Sequence, residues 1–163
     1  MAILPILQYP DPRLRTKAAR ITNVDAALRQ QVEDMYETMY DAKGLGLAAT
    51  QVNIHLQLFT MDMSDDASQP MCIVNPEIIH KEGLQYESEG CLSVVDAFDK
   101  VERAFKVRLR GTDLDGKPLE IEGEGLMAAC FQHELDHLNG ILFLDHLSRL
   151  KQERIRKKIK KYK

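Results

Sequence analysis

His133-Glu134-Leu135-Asp136-His137, inside the longer run Leu126 to Gly140, is the stretch on which the reading of the whole chain turns. The run opens after Gly123 and Gly125 and is rich in Leu, Met, Ala, Cys and Phe. This predicts an apolar helix from Leu126 to about Leu138, closed by Gly140. At ~100° per residue, His133 and His137 fall one turn apart on one face, so both imidazoles reach one ion. Glu134 stands about 100° round from His133, close enough to hold a water on that ion without ligating it. The plain alternative is a polar helix that happens to carry two histidines. Burying two His, a Glu and an Asp among apolar neighbours without a task is costly, so a metal centre is the expectation.

A catalytic site needs a third protein ligand and an open position. Cys130 shares the helix face but lies seven residues from His137, roughly 10 Å of helix rise, which is too far for one ion. Cys91, in Glu89-Gly90-Cys91-Leu92-Ser93, is therefore assigned as the third ligand. Gly90 is expected to permit an unusual turn just before it. Cys130 is either a pocket wall or a small buried hydrophobe.

Upstream, Leu28, Val32, Met35 and Met39 recur on one helical face, with Thr22 and Asp25 as the start signal and Gly44 as the stop. Val52, Ile54, Leu56 and Leu58 alternate with polar residues and predict a half-buried strand. Met71 to Val74 predicts another strand, ended by Asn75-Pro76. Phe105 to Arg110 alternates, and Asp115-Gly116 turns the chain into Leu119 and Ile121, a hairpin signal. The last twenty residues predict a third helix. Helices between short antiparallel strands make the fold class α+β, with the strands around the metal-binding helix. Gly44-Leu45-Gly46-Leu47-Ala48-Ala49 superficially fits a dinucleotide loop, but it follows a helix and leads into a strand, the reverse of that motif. It reads instead as a helix cap with small packing residues, or as a tight loop near a ligand with Gln51 aimed into the site.

The chain has 163 residues, 44% hydrophobic and 29% charged, which suits one globular domain and excludes collagen-like, disordered and membrane-spanning classes. No leader segment is expected, and three scattered cysteines fit a reducing cytoplasm. The net charge of −3 conceals a division. Residues 149–163 hold nine Lys or Arg and one acid, leaving 13 basic and 24 acidic residues in 1–148. An acidic body with a basic tail is no general DNA binder, though the tail alone would seek a polyanion. On this division, 1–148 is read as the catalytic domain and 149–163 as its helical extension. Leu150, Ile155, Ile159 and Tyr162 form a narrow apolar stripe on that extension, and a merely solvated helix is its plain reading.

Three motifs stand in one order: Gly44-x-Gly46-x-Ala48-Ala49-x-Gln51, Glu89-Gly90-Cys91-Leu92-Ser93, and Gln132-His133-Glu134-x-Asp136-His137-Leu138-x-Gly140. Together they resemble peptide deformylase, of the bacterial type with a long basic C-terminal helix. The resemblance implies hydrolysis of the formyl group from N-formylmethionyl nascent peptides. It implies that Cys91, His133 and His137 hold one divalent metal ion, usually Fe(II), with Zn, Ni or Co able to substitute. It implies that Glu134 is the general acid and base, and that Gln51 and the Leu92 N–H meet the oxyanion. Gly44, Leu45, Gly46, Glu89, Leu126, Ala129 and Cys130 are placed at the substrate, and Arg103 is expected to pair with Glu89. The basic tail is expected to contact the ribosome. The chain departs from the family at Val95 and Phe98, where a proline and a basic residue are common, and this bears on grip beyond the methionine. Two other readings stand beside this one: a zincin-type protease taking Asp145 or His146 as third ligand, and an inactive ribosome-associated binder.

Overall fold

The computed structural model describes residues 2–161. Helix α1 (Ala26–Asp41) is capped by Asp25, whose side chain accepts from Leu28 N–H at 2.8 Å. Thr22 is not the cap. Strands β1 (Gly46–Ala48), β2 (Leu58–Met61) and β3 (Met71–Glu82) follow, then the hairpin β4 (Gln85–Cys91) and β5 (Val94–Arg103). A second hairpin, β6 (Lys106–Thr112) and β7 (Pro118–Glu124), leads to α2 (Leu126–Leu138) and finally α3 (Arg149–Lys161). All paired strands run antiparallel, in a five-stranded sheet β1-β2-β3-β6-β7 and the separate pair β4-β5.

The periodic segments fold as their patterns dictate. Leu28, Val32, Met35 and Met39 are all buried and pack with Leu47, Leu58 and Val74. α2 covers the inner face of the five-stranded sheet through Ala128, Phe131 and Leu138, against Phe59, Ile73, Val107 and Leu109. It also touches β5, so it lies between the sheet and the β4-β5 pair. A third cluster joins Leu7 and Leu14 to Val94, Ala97, Phe143 and Ile155 of α3.

Four expectations are corrected. Val52 to Leu58 is not one strand: Ala49–Val52 is a 3-10 turn, Asn53 is left-handed (φ 64°), and the strand begins only at Leu58. Val52, Ile54, Leu56 and Leu58 do all reach one core cluster, but around a turn rather than along a strand, so alternation misled. Asn75-Pro76 does not end β3. It makes an irregularity between Val74 and Glu77, with Asn75 at φ 51° and its amide bonded to Ile21 backbone on both sides. The left-handed residue ending α1 is Lys43 (φ 59°) rather than Gly44. Gly90 is not left-handed either: the Phe98 ring packs where its Cβ would stand, 2.4 Å from Phe98 Cε1.

On α3, Ile155 is buried and Ile159 half-buried, but Leu150 is 60% exposed and falls off the stripe. Tyr162 lies outside the described residues. The outer face of β6 carries Lys106, Arg108 and Arg110, which pair with Glu77, Glu120 and Glu122 on the strands either side. No helix among the described residues is long and apolar enough to cross a membrane.

Candidate metal centre

α2 presents His133 and His137 on one face, their Nε2 atoms 3.1 Å apart and the rings edge to face. The β4-β5 pair brings Cys91 to the same point, its Sγ 3.3 Å from His137 Nε2. These are the only His, Cys, Asp and Glu ligand atoms among the described residues that converge in this way, all within 4.8 Å of one another. Two ring nitrogens each ~2.0–2.1 Å from a tetrahedral ion stand roughly 3.3 Å apart, so the spacing fits a metal. The donor set, two imidazoles and a thiolate, suits a borderline transition metal rather than Mg or Ca.

The surroundings aim these ligands. His133 Nδ1 bonds to Glu89 Oε1 at 2.9 Å, which turns its Nε2 toward the cluster. Phe143 stacks on the other side of the His133 ring. Glu89 is fixed in turn by Arg103, whose Nε and Nη2 donate at 2.8 and 2.9 Å. Arg103 Nη1 reaches Asp136 at 2.6 Å. The expected Arg103–Glu89 pair is thus present, in a wider network that sequence reasoning did not include.

Charge follows position. Burial alone would raise the Glu89 carboxyl, but the Arg103 and His133 hydrogen bonds outweigh it and hold it at about 2. Burial likewise opposes a proton on His133, and Cys91 and Glu89 overcome it, raising that imidazole well above its ordinary value. His137 is held well below its ordinary value by burial and by His133, so it is a neutral donor.

Glu134 is buried behind the cluster, and burial pushes its carboxyl up to about 7. Its Oε1 has no hydrogen-bond partner among the described residues. β1 passes so close that a Cβ on Gly46 would meet Glu134 Oε2 at 2.4 Å and Cys130 Sγ at 3.0 Å. Only glycine leaves room for that carboxylate. Gln51, on the 3-10 turn, has its Oε1 held by Ala48 N–H and its Nε2 directed to Ser93 Oγ at 3.0 Å and Cys91 Sγ at 3.7 Å. Leu92 opens the Leu92-Ser93 turn between β4 and β5, with its side chain against Gly44.

The remaining candidates divide. Ala129 is buried and Cys130 half-buried beside Glu134, while Leu45 and Leu126 are 43% and 62% exposed. Asp145 pairs with Arg15, and His146 bonds to Asp136 at 2.9 Å; neither belongs to the ligand cluster, so the protease reading is not favoured. Sequence reasoning missed Ser93, Asp136 as an Arg103 partner, and the segment Leu7–Tyr9. That segment donates from Leu7 N–H to Gln51 C=O and from Tyr9 N–H to Ser93 C=O, both at 2.7 Å. Backbone contacts of this kind leave no residue-type signal.

A sequence model of the family described as polypeptide deformylase matches residues 3–153. Peptide deformylase of Chromobacterium violaceum is 54% identical over 161 residues, spanning 99% of this chain and 96% of that protein. Peptide deformylase 1 of Pseudomonas syringae is 56% identical over 163 residues, again 99% and 96%. The crystal structure of a peptide deformylase from Legionella pneumophila superposes with a TM-score of 0.96 at 48% identity, covering 99% of this chain and 95% of that one. That of the Ehrlichia chaffeensis peptide deformylase in complex with actinonin gives 0.95 at 37% identity, covering 100% and 99%.

Proposed function

The chain belongs to the polypeptide deformylase family and hydrolyses the N-formyl group from nascent peptides with the help of a metal ion; on that premise we propose that Cys91, His133 and His137 hold the ion and that Glu134 moves the protons. The observation that carries the proposal is the convergence of those three ligand atoms within 4.8 Å beside a buried Glu134. The ion is Fe(II) in this reading; Zn, Ni or Co would suit the same donors. Bound there, a divalent ion supplies Lewis acidity and lowers the pKa of water toward neutrality.

The chain's own groups do the rest. Glu134 takes a proton from the attacking water and returns it to the departing amine, so that the peptide leaves as amine and the formyl group as formate. Burial raises that carboxyl, which favours its holding the proton between the two halves of the task. Gln51 Nε2 and the Leu92 N–H face the formyl oxygen as its negative charge grows. Losing one such donor typically costs ~100-fold or more. Gly46 lets the backbone come close, and β1, at the edge of its sheet, offers a free side on which the peptide pairs as an added strand through Gly44–Gly46. Leu45, Leu126, Ala129 and Cys130 line the methionine pocket, with Glu89 behind His133.

Residues 1–148 form the catalytic body in this reading, and α3 is its extension, since Ile155 packs into the body's core. The basic outer face of α3 contacts ribosomal RNA, the protein working in the cytoplasm where nascent chains emerge. Formate release from formyl-Met-Ala-Ser by anaerobically prepared protein, with metal analysis of the same sample, tests the reading. A Glu134→Gln protein that keeps both its metal and a near-normal rate would refute the assignment of Glu134.

A further inference from the structure

Gln51 and Leu92, the two donors assigned to the formyl oxygen, come from separate segments. Ser93 touches both, and nothing above gives it a task. It is fully buried, in the two-residue turn Leu92-Ser93 that joins β4 to β5. Its Oγ accepts from Gln51 Nε2 at 3.0 Å, its N–H points to Cys91 Sγ at 3.4 Å, and its carbonyl accepts from Tyr9 N–H at 2.7 Å.

Two features make these bonds consequential. A two-residue hairpin turn ordinarily has a residue with φ above zero, which matches the twist of the strands. Neither Leu92 nor Ser93 has one. The turn is therefore held from outside, by Tyr9 at Ser93 and by Gln8 Nε2, which donates to Leu92 C=O at 2.9 Å. Second, the Gln51 carboxamide is gripped at both ends, Oε1 by Ala48 N–H and Nε2 by Ser93 Oγ. One N–H of Nε2 is thereby committed to Ser93. The other is left on the side of Cys91, where the formyl oxygen comes.

We propose that Ser93 is a positioning residue for deformylation, its hydroxyl aiming the second Gln51 N–H, which lies toward Cys91 Sγ, at the formyl oxygen. The proposal rests on the role given to Gln51 above. Without the hydroxyl, the carboxamide keeps its Ala48 bond and the long 3.7 Å contact to Cys91 Sγ, and turns about them, so the donor remains but is misdirected.

A double-mutant cycle separates aim from packing. Wild type, Ser93→Ala, Gln51→Ala and the double variant are compared for kcat, KM, bound metal and melting temperature. Ser93→Ala is expected to lower kcat about tenfold, a fraction of the loss of a whole donor. KM should stay within twofold and metal content unchanged. In the Gln51→Ala background the same change should alter kcat less than twofold. Ser93→Gly, which also lacks the hydroxyl, should repeat this pattern and serves if the alanine variant folds poorly. Losses that multiply in the double variant would overturn the proposal, as would an unaltered kcat in Ser93→Ala or a loss of rate that tracks loss of metal. If Gln51→Ala itself keeps kcat within twofold, the role given to Gln51 fails, and the proposal falls with it for that separate reason.

Discussion

Arg103 grips Glu89 with two parallel hydrogen bonds, Nε and Nη2 to the two carboxylate oxygens at 2.8 and 2.9 Å. The guanidinium is almost wholly buried and also serves Asp136. Through Glu89 the same bonds decide which way His133 faces.

Removing Arg103 leaves two carboxylates without their cation. Arg103→Ala should cost about 3–5 kcal/mol of stability, the usual consequence of stranding one side of a buried pair. Denaturant unfolding checks this. Metal affinity should also fall, roughly 10–100-fold, because His133 loses its fixed orientation. A variant of normal stability and normal affinity would show that the network neither supports the fold nor aims the ligand.

Substitution separates ligands from the proton carrier. Cys91→Ala, His133→Ala and His137→Ala should each lose the metal and the activity together. Glu134→Gln should keep the metal while kcat falls by roughly 100- to 10,000-fold. Elemental analysis with a formate assay reads both. One full equivalent of ion in Cys91→Ala would remove Cys91 from the ligand set.

The thiols should report the site by their reactivity. Burial pushes Cys72 up to about 12, and burial with the nearby Glu134 carboxylate raises Cys130 well above the ordinary thiol range. Both therefore stay protonated and inert toward iodoacetamide at pH 8. Treatment with a chelator should open one thiol to alkylation, on the peptide containing Cys91. Peptide mass mapping before and after chelation shows which cysteine is labelled.

Acid should act on the loop after β2. Asp62 accepts from Ser64, from Tyr40 Oη at 2.7 Å and from Gln69 N–H. The Ser64 hydroxyl foremost, then Tyr40, hold its carboxyl below the ordinary range against burial. A carboxyl depressed on folding contributes stability above its unfolded pKa and loses it as pH falls through the folded value. Melting temperature should therefore decline with acidification below about pH 4, and Asp62→Asn should show a shallower decline. Equal slopes would exclude Asp62 as a source of the acid sensitivity.

The tail calls for charge changes rather than deletion, because cutting after residue 148 would uncover the core around Ile155. Arg154 and Lys157 are exposed. Replacing both with Glu should leave hydrolysis of a free formyl-peptide nearly intact and weaken co-sedimentation with ribosomes at low salt. The difference should shrink as salt rises, as counterion release requires. Undiminished pelleting of the double variant would assign α3 a purely structural role.

How much was legible follows from where each signal lies. The α1 face and the β6-β7 hairpin were readable because one face is buried and the other wet, and α2 because its apolar run is bounded by glycines. The β4-β5 pair was not: Gln85 to Cys91 has no buried residue, so no alternation betrays it. Asn53 broke an expected strand by taking left-handed backbone, which asparagine tolerates but does not announce; Asn75 takes it too, yet only as an irregularity inside β3, which runs on past the expected stop at Asn75-Pro76. At the centre, the convergence of His133, His137 and Cys91 was legible because few residue types can ligate a metal, and the Arg103–Glu89 pair because the family resemblance carried it. Ser93 and Leu7–Tyr9 were silent, since they act largely through backbone groups and a common hydroxyl.

The charged ladder on the outer sheet face bears on how this protein behaves in a crowded solution. β7 is the last strand of its sheet among the described residues, and such an edge invites a second copy to add on. Its outward residues are Glu120, Glu122 and Glu124, alternating with Leu119, Ile121 and Gly123. Within one molecule, Lys106 and Arg108 of β6 offset all three. Two copies meeting edge to edge would instead bring carboxylate rows together with no cation between them. On the β7 rim, charge of one sign thus opposes edge-to-edge addition.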